Sequence, residues 1–184
     1  MKQHKRMWKV ISAGTIAVLW ICFIFGNSLQ TGDNSGALSG TIVEFLMDIM
    51  PNLATWFTSD QIHFLLRKLA HFSEYAILGL WLWIFWLQIV KIQIKKISRT
   101  KFQAQGRQEL WSKIEYRAII GQTLTLGMTT GLLTALSDET IQTFVPERAG
   151  QVADVWIDFA GILAMQLILA SISYILNKRK LVGK

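Results

Sequence analysis

Apolar residues run almost without interruption through positions 8–26, 69–90, 118–136 and 155–176, and the stretches between them are polar. Each run is about 19 to 22 residues long, close to the roughly 20 an α-helix needs to cross the hydrocarbon core of a bilayer. The pattern predicts an all-α fold, an integral membrane bundle of four transmembrane helices forming a single domain over residues 1–184. Between the first two runs, Ile42, Val43, Phe45, Leu46, Ile49 and Met50 recur at helical spacing and leave Glu44 and Asp48 on the other face. A short helix capped by Ser39 or Thr41 and closed at Pro51 is therefore expected to lie in the membrane interface. Residues 27–40 ahead of it are dense in Ser, Gly and Asn and read as turns. Ser59 or Asp60 is the expected cap of the next helix, unbroken over 61–96 apart from Gly79.

Composition supports the membrane reading: 52% of the 184 residues are hydrophobic and eight are tryptophan, too apolar for an ordinary soluble domain. The net charge of +7 does not indicate nucleic acid as a partner, because the basic residues cluster by segment. Sixteen of the 19 lie at the first helix start (Lys2, Lys5, Arg6, Lys9), in the 91–117 loop and in the 178–184 tail. The positive-inside rule then places both termini and the 91–117 loop in the cytoplasm, with 27–67 and 137–154 facing outward. The first run is too long for a secretion signal and lacks a cleavage pattern, so it is read as a permanent helix. Cys22, the only cysteine, excludes an intramolecular disulfide and is expected to be a small buried residue. Trp81, Trp83 and Trp86 read as inner-interface anchors, and Gly121, Gly127, Gly131, Gly161 and Ala164 as close-packing positions between helices.

Ionisable residues inside these runs are the chemical candidates, since each costs about 2.5 to 3.5 kcal/mol at mid-bilayer unless it pairs or faces a cavity. Lys68, His71, Glu74 and Tyr75 lie within two turns on neighbouring parts of one helix face. Asp138 and Gln142 are an i, i+4 pair ending the third span, beside Glu139. Asp154 and Asp158 repeat that spacing where the fourth begins. Five potential negatives, Glu74, Asp138, Glu139, Asp154 and Asp158, face Lys68, Arg148 and His71, so either some acids stay protonated or an external cation completes the site. A divalent cation is one open reading of the cofactor, and proton exchange between His71 and a carboxylate is another. Interhelical glue is the structural alternative for any single member. His4 and His63 stand apart and read as solvated.

Lys68-Leu-Ala-His-Phe-Ser-Glu-Tyr-Ala-Ile-Leu-Gly79, Ser137-Asp-Glu-Thr-Ile-Gln-Thr-Phe-Val-Pro-Glu-Arg148 and Asp154-Val-Trp-Ile-Asp-Phe-Ala-Gly161 together resemble the motifs of the VanZ-like family. Asn27, Ser28, Gln30, Ser35 and Ser39 are similar to its polar stretch after the first helix. Thr140 and Thr143 around Gln142 depart from the pattern, as does Glu147, which stands where the family often has a small residue. The family is bacterial and named for a membrane protein that lowers susceptibility to teicoplanin. The resemblance carries motif positions over to Lys68, His71, Glu74, Tyr75, Asp138, Glu139, Gln142, Arg148, Asp154 and Asp158. The chemistry of the side chains then makes His71, Glu74, Asp138, Glu139 and Asp158 the candidate catalytic residues, and Lys68, Tyr75, Gln142, Arg148, Asp154, Asn27 and Gln30 the candidate substrate-binding residues. The expected partners are a membrane lipid, a lipid-linked cell-wall precursor or a lipoglycopeptide. An enzyme acting on such a lipid and a non-catalytic binder are both consistent with these residues.

Overall fold

The computed structural model describes residues 2–50, 52, 56–102, 108–148 and 150–182, all of them helix or short connection. Five helices follow one another: α1 (Lys2–Ser28), α2 (Gly32–Ile49), α3 (Ser59–Phe102), α4 (Gln108–Gln142) and α5 (Val152–Val182). Four contain stretches long and apolar enough to cross a membrane: Arg6–Ser28, Ser59–Lys96, Ile114–Gln142 and Val152–Lys178. The expected spans fall inside these four. Val18 and Leu19 on α1, Leu133 on α4, and Leu167, Ile168 and Ile172 on α5 are exposed. In water so much exposed apolar surface would drive association, whereas in hydrocarbon it is the lipid face.

α3 is the central element and packs against each of the other four. Its 44 residues span about 66 Å at 1.5 Å per residue, twice the hydrocarbon thickness, so its ends stand clear of it. Its start is a capping box one residue ahead of the expected cap. The Gln61 backbone N–H donates to Thr58 Oγ1 (3.3 Å), and the Thr58 N–H donates to Gln61 Oε1 (3.0 Å).

α3 crosses α5 at close range, and two glycines permit it. A Cβ on Gly161 would collide with the backbone carbonyl of Phe72, and one on Gly79 would stand 3.2 Å from the Ile162 backbone. Tyr75, Leu78, Leu82, Ala135, Val155 and Ile162 form the core around this crossing. Because apolar burial drives little between helices in lipid, such close van der Waals contact supplies the association.

Several expectations are corrected. α2 begins at Gly32, seven residues before Ser39, after Thr31, which makes no side-chain capping bond. Part of the expected turn stretch is thus helical backbone. A strong apolar helix can propagate backward at one hydrogen bond per residue, although each glycine costs about 1 kcal/mol relative to alanine. Cys22 is exposed on the outside of α1. Trp83 is buried, and half-buried Trp86 donates its indole N–H to Thr130 Oγ1 on α4 at 3.2 Å, so these two pack inward instead of anchoring at an interface. Gly121 meets nothing within 4 Å and plays no part in close packing. His63 is half-buried, 3.6 Å from where a Gly40 Cβ would stand. The loop residue Gly106, Pro51 and the side chains of Ser35 and Ser39 lie outside what is described.

The two ends of the bundle differ in chemistry. At one end Arg6, Lys9, Gln88, Lys91 and Lys95 line a cleft of about 250 Å³ between α1 and α3. The other end carries the acids, the histidine and the turns.

Candidate functional site

Each polar residue at the acidic end is delivered by a local device. The turn of residues 145–148 closes through the Arg148 N–H donating to the Val145 carbonyl at 3.2 Å, with Pro146 and Glu147 at its centre. Glu147 has a φ of 63°, the left-handed value that the third position of a type II turn requires. That requirement is the physical reason a small residue suits this position. The turn aims Arg148 back at α1, where its Nη2 donates to the Asn27 carbonyl at 3.3 Å. The chain then enters α5 past Glu139, whose Oε2 accepts the Gln151 backbone N–H at 2.8 Å.

Asn27, at the end of α1, donates its side-chain amide to Glu74 Oε1 at 2.9 Å, and the Trp20 indole donates to the Glu74 carbonyl at 2.9 Å. Gln142 donates from one amide nitrogen toward both Ser28 Oγ and Asp138 Oδ2, each at 3.2 Å. Lys68 pairs with Asp154 across α3 and α5 and stands 5.1 Å from the Phe64 ring centroid.

A cavity of about 390 Å³ opens among α1, α2 and α3, lined by Asn27, Ser28, Gln30, Ile42, Arg67, His71, Glu74 and Arg148 among others. Two guanidiniums share it. Burial, and after it the charge of Arg67, pulls the Arg148 guanidinium below its ordinary value, so the pair repel across the space they line. An anion entering there would relieve both, and guanidinium is well matched to phosphate oxygens.

Behind the cavity wall lies a second group. His71 on α3, Asp138 on α4 and Asp158 on α5 each offer a donor atom within 4.8 Å of the others. His71 Nδ1 stands 3.7 Å from Asp158 Oδ1, beyond a hydrogen bond. Asp138 and Asp158 are fully buried. Neither oxygen of Asp158, nor His71 Nδ1, has a hydrogen-bond partner among the described residues, and the Tyr75 hydroxyl lies against the Asp138 carboxylate. Buried polar groups are ordinarily hydrogen-bonded or hydrated, which makes these atoms candidate ligand donors.

The expected residues are therefore brought together, but in two layers. His71, Glu74, Arg148, Asn27 and Gln30 line the cavity; Lys68, Tyr75, Asp138, Glu139, Gln142, Asp154 and Asp158 lie outside that lining. Lys68 is engaged with Asp154, while Arg67, Ser28 and Ser73 line the cavity without having been singled out as site residues. Arg67 was signalled by spacing, four residues before His71 and seven before Glu74 on the same face.

The family model described as VanZ/LLP1 matches residues 14–174, most of the chain, and the protein belongs to the VanZ-like family. No curated protein and no solved structure gives a match.

Proposed function

We propose that the protein binds a phosphate-bearing lipid or lipid-linked wall precursor at the outer leaflet and, by modifying it, lowers susceptibility to teicoplanin-type lipoglycopeptides. The observation that carries this reading is the pair of guanidiniums, Arg67 and Arg148, lining one cavity with His71 and Glu74. Arg67 and Arg148 hold the phosphate, Asn27 orients Glu74, and His71 joins the cavity to the buried carboxylates. The basic residues 6, 9, 91 and 95 at the opposite end support a cytoplasmic placement of that end, with the cavity outward. Trp56, Phe144, Val152 and Trp156 are exposed around the polar end, and Ile42, Phe45 and Ile49 along α2, as residues at a headgroup boundary would be.

A non-catalytic binder is the second reading, favoured by that same apolar rim, which suits an acyl chain with no chemistry required. Cells carrying the protein and cells carrying Asp138→Asn separate the two when their lipids and wall precursors are compared. A new or lost lipid species dependent on Asp138 supports modification. Unchanged composition with raised tolerance supports binding. Tolerance to teicoplanin is expected to exceed that to vancomycin, because only teicoplanin carries an acyl chain, and equal tolerance to both would remove the lipid-surface explanation.

A further inference from the structure

We infer that His71, Asp138 and Asp158 form a binding site for one divalent transition-metal cation, of the Mn²⁺ or Zn²⁺ kind, set behind the wall of the cavity. For its use by the protein this inference rests on the reading above; for the binding itself it rests only on geometry.

Three helices converge on the point, and each sends one donor. The three atoms lie within 4.8 Å of one another. Donors at about 2.1 Å from a common ion are separated by about 3 to 4 Å, so shifts of less than about 1 Å close the set. The Gly161 and Gly79 crossing holds α3 and α5 too close for them to be spread apart by a side chain between them.

Charge and hydrogen bonding point the same way. Glue residues need partners, yet both oxygens of fully buried Asp158 have none among the described residues. The neighbouring cations are engaged elsewhere, Lys68 by Asp154 and Arg148 by the Asn27 carbonyl. A divalent ion with two carboxylates and a neutral imidazole makes an electrically neutral unit, the form that low-dielectric surroundings tolerate. One imidazole nitrogen among carboxylate oxygens suits Mn²⁺ or Zn²⁺ better than Mg²⁺ or Ca²⁺, which prefer all-oxygen sets. The Tyr75 hydroxyl, against the Asp138 carboxylate, can orient that carboxylate toward the ion. His71 also lines the cavity, so an anion held by Arg67 and Arg148 would lie next to the ion.

The test uses the full chain purified in detergent, stripped with EDTA and dialysed against MnCl₂ or ZnCl₂, with bound metal counted by elemental analysis. The unaltered protein is expected to retain about one ion per chain. His71→Gln, Asp138→Asn and Asp158→Asn are each expected to weaken binding at least 100-fold, while Asp48→Asn on exposed α2 leaves it unchanged. In the Mn²⁺ form, pulsed electron paramagnetic resonance is expected to show nitrogen coupling from the His71 ring, lost in His71→Gln. Retention of neither ion by the unaltered protein overturns the inference, as does retention in Asp138→Asn and Asp158→Asn. If those variants fail to fold, the nitrogen coupling in the unaltered protein decides, its absence being fatal. No lipid or drug enters the measurement, and the anion reading is tested apart from it by phosphate-lipid binding in Arg67→Gln and Arg148→Gln.

Discussion

The side-chain amide of Asn27 donates a 2.9 Å hydrogen bond to Glu74 Oε1, tying the last turn of α1 to the middle of the cavity wall on α3. Because Arg148 simultaneously donates to the Asn27 carbonyl, one residue connects α1, α3 and the turn before α5. Asn27→Ala is expected to destabilise the protein by about 1.5 kcal/mol or more, the usual worth of a hydrogen bond to a charged group. Asn27→Asp, which sets two carboxyl groups against each other, is expected to be worse. Thermal unfolding in detergent measures both, and unchanged stability in both would show that the contact does not hold the wall.

The Lys68–Asp154 pair gives a second prediction, as both side chains are nearly buried. Removing one partner strands the other, so Lys68→Ala or Asp154→Ala is expected to cost about 3 kcal/mol. The double change Lys68→Met with Asp154→Leu is expected to recover most of that. A double-mutant cycle on folded protein reads the coupling, and simple additivity would contradict it.

Glu147 adopts the left-handed backbone region without being glycine. Relief of that strain predicts that Glu147→Gly raises stability by about 1 kcal/mol. A lowered unfolding temperature would show that contacts of the Glu147 side chain outweigh it.

Helical spacing pairs His71 with Glu74, and i, i+4 spacing pairs Asp138 with Gln142, because a regular helix converts residue number directly into direction, whereas Lys68 and Tyr75 of the same stretch lie outside the cavity lining. What spacing on one helix cannot supply is which neighbour a side chain meets. Spacing puts Arg67 with the cavity residues His71 and Glu74, but that the adjacent Lys68 meets Asp154 is decided by the α3–α5 crossing. The same holds for Trp83, whose inward packing depends on neighbouring helices. At α2 the difference is local: Ser, Gly and Asn favour turns on their own, but here they continue an apolar helix.

The topology carries a fourth prediction, resting on the segregation of basic residues at one end and acids at the other. With Cys22→Ala as background, Gly36→Cys is expected to react with a membrane-impermeant thiol reagent in intact cells, and Gly106→Cys only after lysis. Reversed labelling would turn the cavity toward the cytoplasm and remove the outer leaflet as the source of its ligand.

The central claim is that acids from three helices converge to act, whether by holding a cation or by exchanging protons, and do more than hold the bundle together. Glu74→Gln, Asp138→Asn and Asp158→Asn test it most directly, since a neutral amide still donates and accepts hydrogen bonds while its charge is gone. The measurement is teicoplanin tolerance for each variant, normalised to folded protein in the membrane. Abolished tolerance with folding and abundance intact is the predicted result. Full tolerance in all three variants would contradict the account and leave the cluster as architecture.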